Sequence, residues 1–126
     1  MTAPVLEVVD LVKRFPTGKR GQHVHAVNGV SFSIAAGRTL GMVGESGSGK
    51  STIGRAVLKL IPPTSGSLRF RGRDITGLST AACRPLRAEM QMVFQDPWAA
   101  LNPRLRIGDL IGEPLLLHTA MSRSER

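Results

Sequence analysis

At 126 residues, 41% hydrophobic and 21% charged, the chain has room for one globular domain, and its composition excludes a disordered, collagen-like or disulfide-scaffold protein. Seventeen Lys and Arg against nine Asp and Glu leave a net charge of +8 and point to an anionic partner, although aromatics at 4% are too sparse among those charges to stack nucleic-acid bases. No apolar run approaches the roughly 20 residues of a membrane-spanning helix; the N-terminus lacks the pattern of a secretory signal, and the lone Cys83 fits a reducing, cytoplasmic compartment.

Residues 6–12 are rich in Val and Leu and predict a strand stopped at Pro16, with a basic turn over residues 17–22. Further strand segments are expected over residues 25–27 and 30–34, where Val30, Phe32 and Ile34 alternate with serines. The apolar run 39–43 predicts a buried parallel strand, followed by a glycine-rich loop and a helix over residues 51–60 that the pair Pro62-Pro63 ends. A strand over residues 67–70, a turn at 72–75 and a short helix over 80–89, interrupted by Pro85, follow. Residues 90–94 predict a second buried strand, and 96–104 an irregular loop with two prolines. A helix over 107–117 should break at Pro114, and residues 122–126 look like the first turn of another.

The sharpest signal is Gly44-Glu45-Ser46-Gly47-Ser48-Gly49-Lys50-Ser51, which matches the phosphate-binding pattern of glycine, four residues, Gly-Lys-Ser/Thr between a strand and a helix. The chemistry needs that spacing. Gly44, Gly47 and Gly49 can take positive φ and turn backbone amides toward a phosphate. The helix starting at Lys50 presents the positive end of its dipole. Lys50 reaches the β- and γ-phosphates, the Ser51 hydroxyl can ligate Mg²⁺ bridging them, and Thr52 is placed for the α-phosphate. The pattern predicts a nucleoside triphosphate and does not choose ATP over GTP.

Such a site also needs an acidic residue at the end of a neighbouring apolar strand, to hold the metal through water. Residues 90–94 lead into Gln95 and Asp96. Asp96 could be the metal acid of a small kinase or GTPase. Gln95, entering a proline-rich loop, suits a mobile sensor of Mg²⁺ or water. A third reading is a basic nucleic-acid or interaction module that carries a phosphate loop.

Residues 43–52 and 93–104 together, the second running Val93-Phe94-Gln95-Asp96-Pro97-Trp98 and on to Arg104, resemble the ATP-binding subunits of ABC transporters, in particular the oligopeptide, dipeptide and nickel importer branch. The resemblance implies an α/β fold: a P-loop NTPase core with an N-terminal antiparallel β-subdomain and the start of a helical subdomain. The β-subdomain would take about residues 5–37 and 65–75, the core about 38–64 and 88–95, and the helical part about 95–126. It implies ATP and Mg²⁺ as cofactors, held by Gly44, Glu45, Ser46, Gly47, Ser48, Gly49, Lys50, Ser51 and Thr52. Lys50 and Gln95 would serve catalysis, Ser51 and Gln95 the metal, and Phe15 would stack on adenine.

The resemblance further implies ATP hydrolysis driving import of peptides or nickel from the cytoplasmic face of the membrane. The partners would be transmembrane permease subunits, a second ATP-binding subunit and, indirectly, an extracytoplasmic solute-binding protein; no nucleic acid is expected. The family's Leu-Ser-Gly-Gly-Gln signature and its later Asp-Glu strand do not occur in the sequence. The chain is therefore expected to be the N-terminal portion of such a subunit and inactive as a hydrolase by itself.

Overall fold

In the computed structural model, which describes residues 3–126, β1 (Pro4–Pro16) and β2 (His23–Ala35) form an antiparallel hairpin longer than the sequence pattern predicts. The ladder carries the strands past their apolar stretches. The loop closes where the Thr17 amide donates to the Gln22 carbonyl at 3.0 Å. β3 (Ser65–Phe70) pairs with the other side of β1, and the two-residue β4 (Arg73–Asp74) follows, giving the sheet order β2-β1-β3-β4.

The register shifts at several points along β1, and two of these irregularities lie near its middle. In β2, Gly29 at φ 75° is the extra residue between the pairs Leu11↔Val30 and Val12↔Asn28. In β1, Val9 and Asp10 together oppose Ser31, and Asp10 takes φ 47°. The Ser31 hydroxyl accepts the Asp10 amide at 2.8 Å, so the bulged N–H keeps a partner. On the other flank of β1, Gly66 takes φ 101°, and a Cβ there would lie 2.6 Å from the Asp10 carbonyl oxygen.

α1 (Lys50–Val57) packs on β1 and β2 and contributes Ile53, Ala56 and Val57 to a core that also buries Val8, Leu11, Val27, Leu68 and Phe70. Burying a side chain of the Leu11 or Leu68 kind stabilises by about 1.5–3 kcal/mol. The helix ends three residues before the predicted Leu60. Lys59 adopts φ 55°, its amide donates to Ala56 O at 3.0 Å, and the Leu60 amide donates to Arg55 O at 2.9 Å. That is a Schellman cap, with lysine where glycine is usual. The Lys59 ammonium donates to the Thr76 carbonyl.

The predicted buried strands over residues 39–43 and 90–94 do not form; both runs lie outside the sheet and lack regular structure. A parallel strand needs a ladder partner, and the one sheet among the described residues includes neither run. Leu40 and Met42 are accordingly exposed, and Val43 is 98% exposed.

The chain divides into two units, residues 1–83 and 84–126. In the second, the helix predicted over residues 80–89 is reduced to a 3₁₀ turn over Arg84–Ala88, with Pro85 at its second position and Leu86 and Met90 buried. The predicted loop after residue 95 contains a one-turn helix, α2 (Pro97–Ala100). α3 (Ile107–His118) contacts the 3₁₀ turn and runs through Pro114 without the predicted break, at the cost of the ladder bond that proline cannot donate. Residues 122–126 close the turn that the sequence predicts, the Ser122 hydroxyl donating to Glu125 Oε2 at 2.6 Å. Among the described residues no helix is long and apolar enough to cross a membrane.

Candidate functional site

Residues 44–49 form a loop without regular structure that runs directly into α1. Gly47 (φ 80°) and Gly49 (φ 96°) take the left-handed conformation the pattern predicts. Gly44 does not; a Cβ there would sit 2.6 Å from Ser48 Oγ and 3.7 Å from the Lys50 ammonium, so a side chain would displace the Ser48 hydroxyl. Gly49 is constrained twice, since a Cβ would also fall 2.3 Å from the Ala26 carbonyl oxygen of β2. The end of the loop is thus pressed against the sheet, with only backbone hydrogens between.

Lys50 arches back over the loop. Its Nζ donates to the carbonyl oxygens of Gly44 and Glu45, both at 2.6 Å, and to Ser48 Oγ at 3.2 Å. Within the loop, the Ser48 amide donates to Glu45 O at 3.2 Å. Glycine at the N-cap gives the first-turn amides of α1 no side-chain acceptor, and no acidic residue occupies that turn. The Lys50 ammonium and the positive end of a helix therefore converge on one loop, a field suited to a polyphosphate. Glu45, Ser46 and Ser48 are exposed, as is Ser51 in the first helical turn. The Ser51 oxygen is a hard donor that fits Mg²⁺ arriving with its phosphates; Thr52 is half-buried beside it.

Phe15, at the far end of β1, pairs across the ladder with Val24 and is 38% exposed. Its strand neighbour Lys13 pairs with Val27, whose Cγ2 would be 3.7 Å from a Cβ on Gly49. Phe15 is therefore two residues along β1 from the point where the glycine-rich loop meets the sheet. The Ala26 carbonyl and Val27 were not readable as site residues: nothing in residues 25–27 distinguishes them from any strand, and the contact spans the sequence.

Gln95 belongs to the second unit, in an exposed bend immediately before α2. Asp96, the alternative metal acid, is the N-cap of that helix: its Oδ1 accepts the amides of Trp98 at 3.0 Å and Ala99 at 3.3 Å. Among the described residues there is no cluster of three His, Cys, Asp or Glu placed to hold a metal ion.

The family model described as ABC transporter matches residues 27–125. The chain is 50% identical over 126 residues to the di/tripeptide transport ATP-binding protein DppF of Pseudomonas aeruginosa, covering 97% of this chain and 39% of that protein. It is 47% identical over 127 residues to the glutathione import ATP-binding protein GsiA of Pectobacterium atrosepticum, covering 97% of this chain and 20% of that one. The chain thus spans well under half the length of these curated relatives. Among solved structures, the dimeric post-hydrolysis state of the ATP-binding cassette MJ0796 bound to ADP and Pi superposes with a TM-score of 0.81 at 26% identity, covering 95% of this chain and 51% of that one.

Proposed function

The chain belongs to the ABC transporter family, and on that footing we propose that it is part of an ATP-binding subunit that powers peptide import by ATP hydrolysis. The observation that carries the proposal is the Lys50 ammonium held over residues 44–48 by two loop carbonyls, at the mouth of a helix that no side chain caps. ATP would lie with its phosphates along the loop from Gly44 to Gly49, neutralised by Lys50 and by the amides that open α1. Mg²⁺, supplying charge neutralisation to the phosphates when bound, would be held by the Ser51 hydroxyl and reached by Gln95. Phe15 would stack on the adenine, and Thr52 would meet the α-phosphate.

Peptides are favoured over nickel as the solute because the relatives quoted above are named for di/tripeptides and glutathione. The partners proposed are transmembrane permease subunits at the cytoplasmic face, a second ATP-binding subunit and, indirectly, an extracytoplasmic solute-binding protein. A small kinase or GTPase using Asp96 as its metal acid is disfavoured, because the family match and the relatives quoted above are those of ABC transporter ATP-binding proteins. No specific contact favours the nucleic-acid reading.

The test is Lys50→Ala in the complete protein. Losing charge-assisted hydrogen bonds to phosphate should weaken binding of a fluorescent ATP analogue by roughly 10- to 100-fold. Unchanged affinity in a folded variant would reject the phosphate role. Gln95→Ala should slow ATP turnover more than it weakens ATP binding, and equal losses in both would remove it as a sensor.

A further inference from the structure

Around Phe15, three contacts lace the end of β1 to the segment that leaves α1. The Lys13 ammonium donates to the Pro62 carbonyl oxygen at 2.7 Å. The Thr64 amide donates to Val12 O at 2.8 Å, and the Arg14 amide donates to Thr64 Oγ1 at 2.9 Å. The same Lys13 ammonium stands over the Phe15 ring, 5.0 Å from its centroid. One cation thus holds both a carbonyl beyond the far end of α1 and one face of the aromatic ring.

Lys13 and Phe15 are two residues apart on β1, so their side chains leave the same face of the strand. A partly exposed phenylalanine at a strand end otherwise has several accessible ring orientations. A cation over one face favours the orientation in which the ring's negative quadrupole meets it, leaving the opposite face for another flat group. The Pro62 carbonyl in turn fixes where the cation stands. The opposite end of α1 opens from the glycine-rich loop over residues 44–49.

We propose that Lys13 is a positioning residue for nucleotide binding: its ammonium, anchored on the Pro62 carbonyl, holds the Phe15 ring in the orientation that stacks on the base. The inference rests on the proposed base-stacking role of Phe15. It assigns Lys13 an effect confined to the base end of the nucleotide.

The experiment compares affinity for Mg-ATP with affinity for inorganic tripolyphosphate, which has the phosphates but no base, using the complete protein. Lys13→Met keeps the stem of the side chain and removes the cation. It should weaken ATP binding by about two- to fivefold, the scale of a partly exposed cation–π contact, and leave tripolyphosphate binding unchanged. Lys13→Arg should retain wild-type ATP affinity. In a Phe15→Ala background, Lys13→Met should have no further effect on ATP. Equal losses for ATP and tripolyphosphate would show that Lys13 only supports the fold and overturn the proposal. So would a silent Lys13→Met beside a damaging Phe15→Ala, or additive losses in the double variant. If Phe15→Ala itself leaves ATP binding intact, the base-stacking reading fails and the role of Lys13 falls with it.

Discussion

The two units of the chain are built on different terms. Residues 1–83 hold eleven Lys and Arg against four Asp and Glu, a net +7, while residues 84–126 hold six against five, a net +1. Nearly all the excess charge that points to an anionic partner is therefore on the unit that carries the glycine-rich loop and Lys50. The first unit also has a sheet with helix α1 packed on it, and it buries ten apolar side chains from Val8 to Cys83. The second buries Leu86 and Met90 and leaves Phe94, Trp98, Leu101, Leu105, Ile107 and Ile111 exposed. Charge serves the site, and the core that fixes the site sits beneath it.

The largest expected effect sets the two units against each other. Leu11→Ala, at a position with no exposed surface, should cost about 2–5 kcal/mol in chemical denaturation. Ile111→Ala, on α3, should cost less than about 0.5 kcal/mol, since the side chain is 73% exposed. Comparable losses at the two positions would end the contrast.

Next is Gly49→Ala, which adds a Cβ against the Ala26 carbonyl at a positive φ. Backbone strain of about 1–3 kcal/mol is expected, with weaker ATP binding in equilibrium titration. A variant as stable as the parent, with full affinity, would show that the loop need not press on the sheet.

How much of this was readable in the sequence differs by kind of interaction. The conformation of the loop over residues 44–49 was partly readable because Gly47 and Gly49 answer to local backbone geometry, whereas Gly44 has no positive φ and lies close to Ser48. The paired strands were readable from alternation at Val30, Phe32 and Ile34. The strand predicted at residues 39–43 was not realised because apolarity states a preference for burial and names no ladder partner. The end of α1 was misplaced because the apolar spacing continues to Ile61, whereas the Lys59 cap is decided by backbone bonds to Arg55 and Ala56. The Lys13–Pro62 contact joins residues 49 positions apart, beyond any local pattern.

Smaller effects sharpen the picture within each unit. In the second, Asp96→Ala removes the α2 cap and should destabilise that turn by about 1 kcal/mol. Faster hydrogen exchange at the Trp98 and Ala99 amides is the readout, and unchanged exchange would deny Asp96 its capping role. In the first, hydrogen bonding from Thr76, through its side chain and its amide, holds the Asp74 carboxyl below the usual carboxylate range. Because the folded pKa is depressed, this contribution is present above the ordinary value near 3.8 and is lost as pH falls through the folded pKa. The Thr76 amide resonance should report that midpoint, and Asp74→Asn should abolish the titration and slightly lower stability at neutral pH, where the carboxylate contributes.

The bulge at Val9–Asp10 has a further consequence for how the sheet assembles. On one flank its amide is taken by Ser31, and on the other its carbonyl leans into the space that Gly66 leaves. If β3 slid by two residues along β1, Thr64 or Leu68 would stand where only a hydrogen fits. The distortion thus acts as a key cut for two locks, and a misthreaded sheet is rejected at the same point that admits the native one.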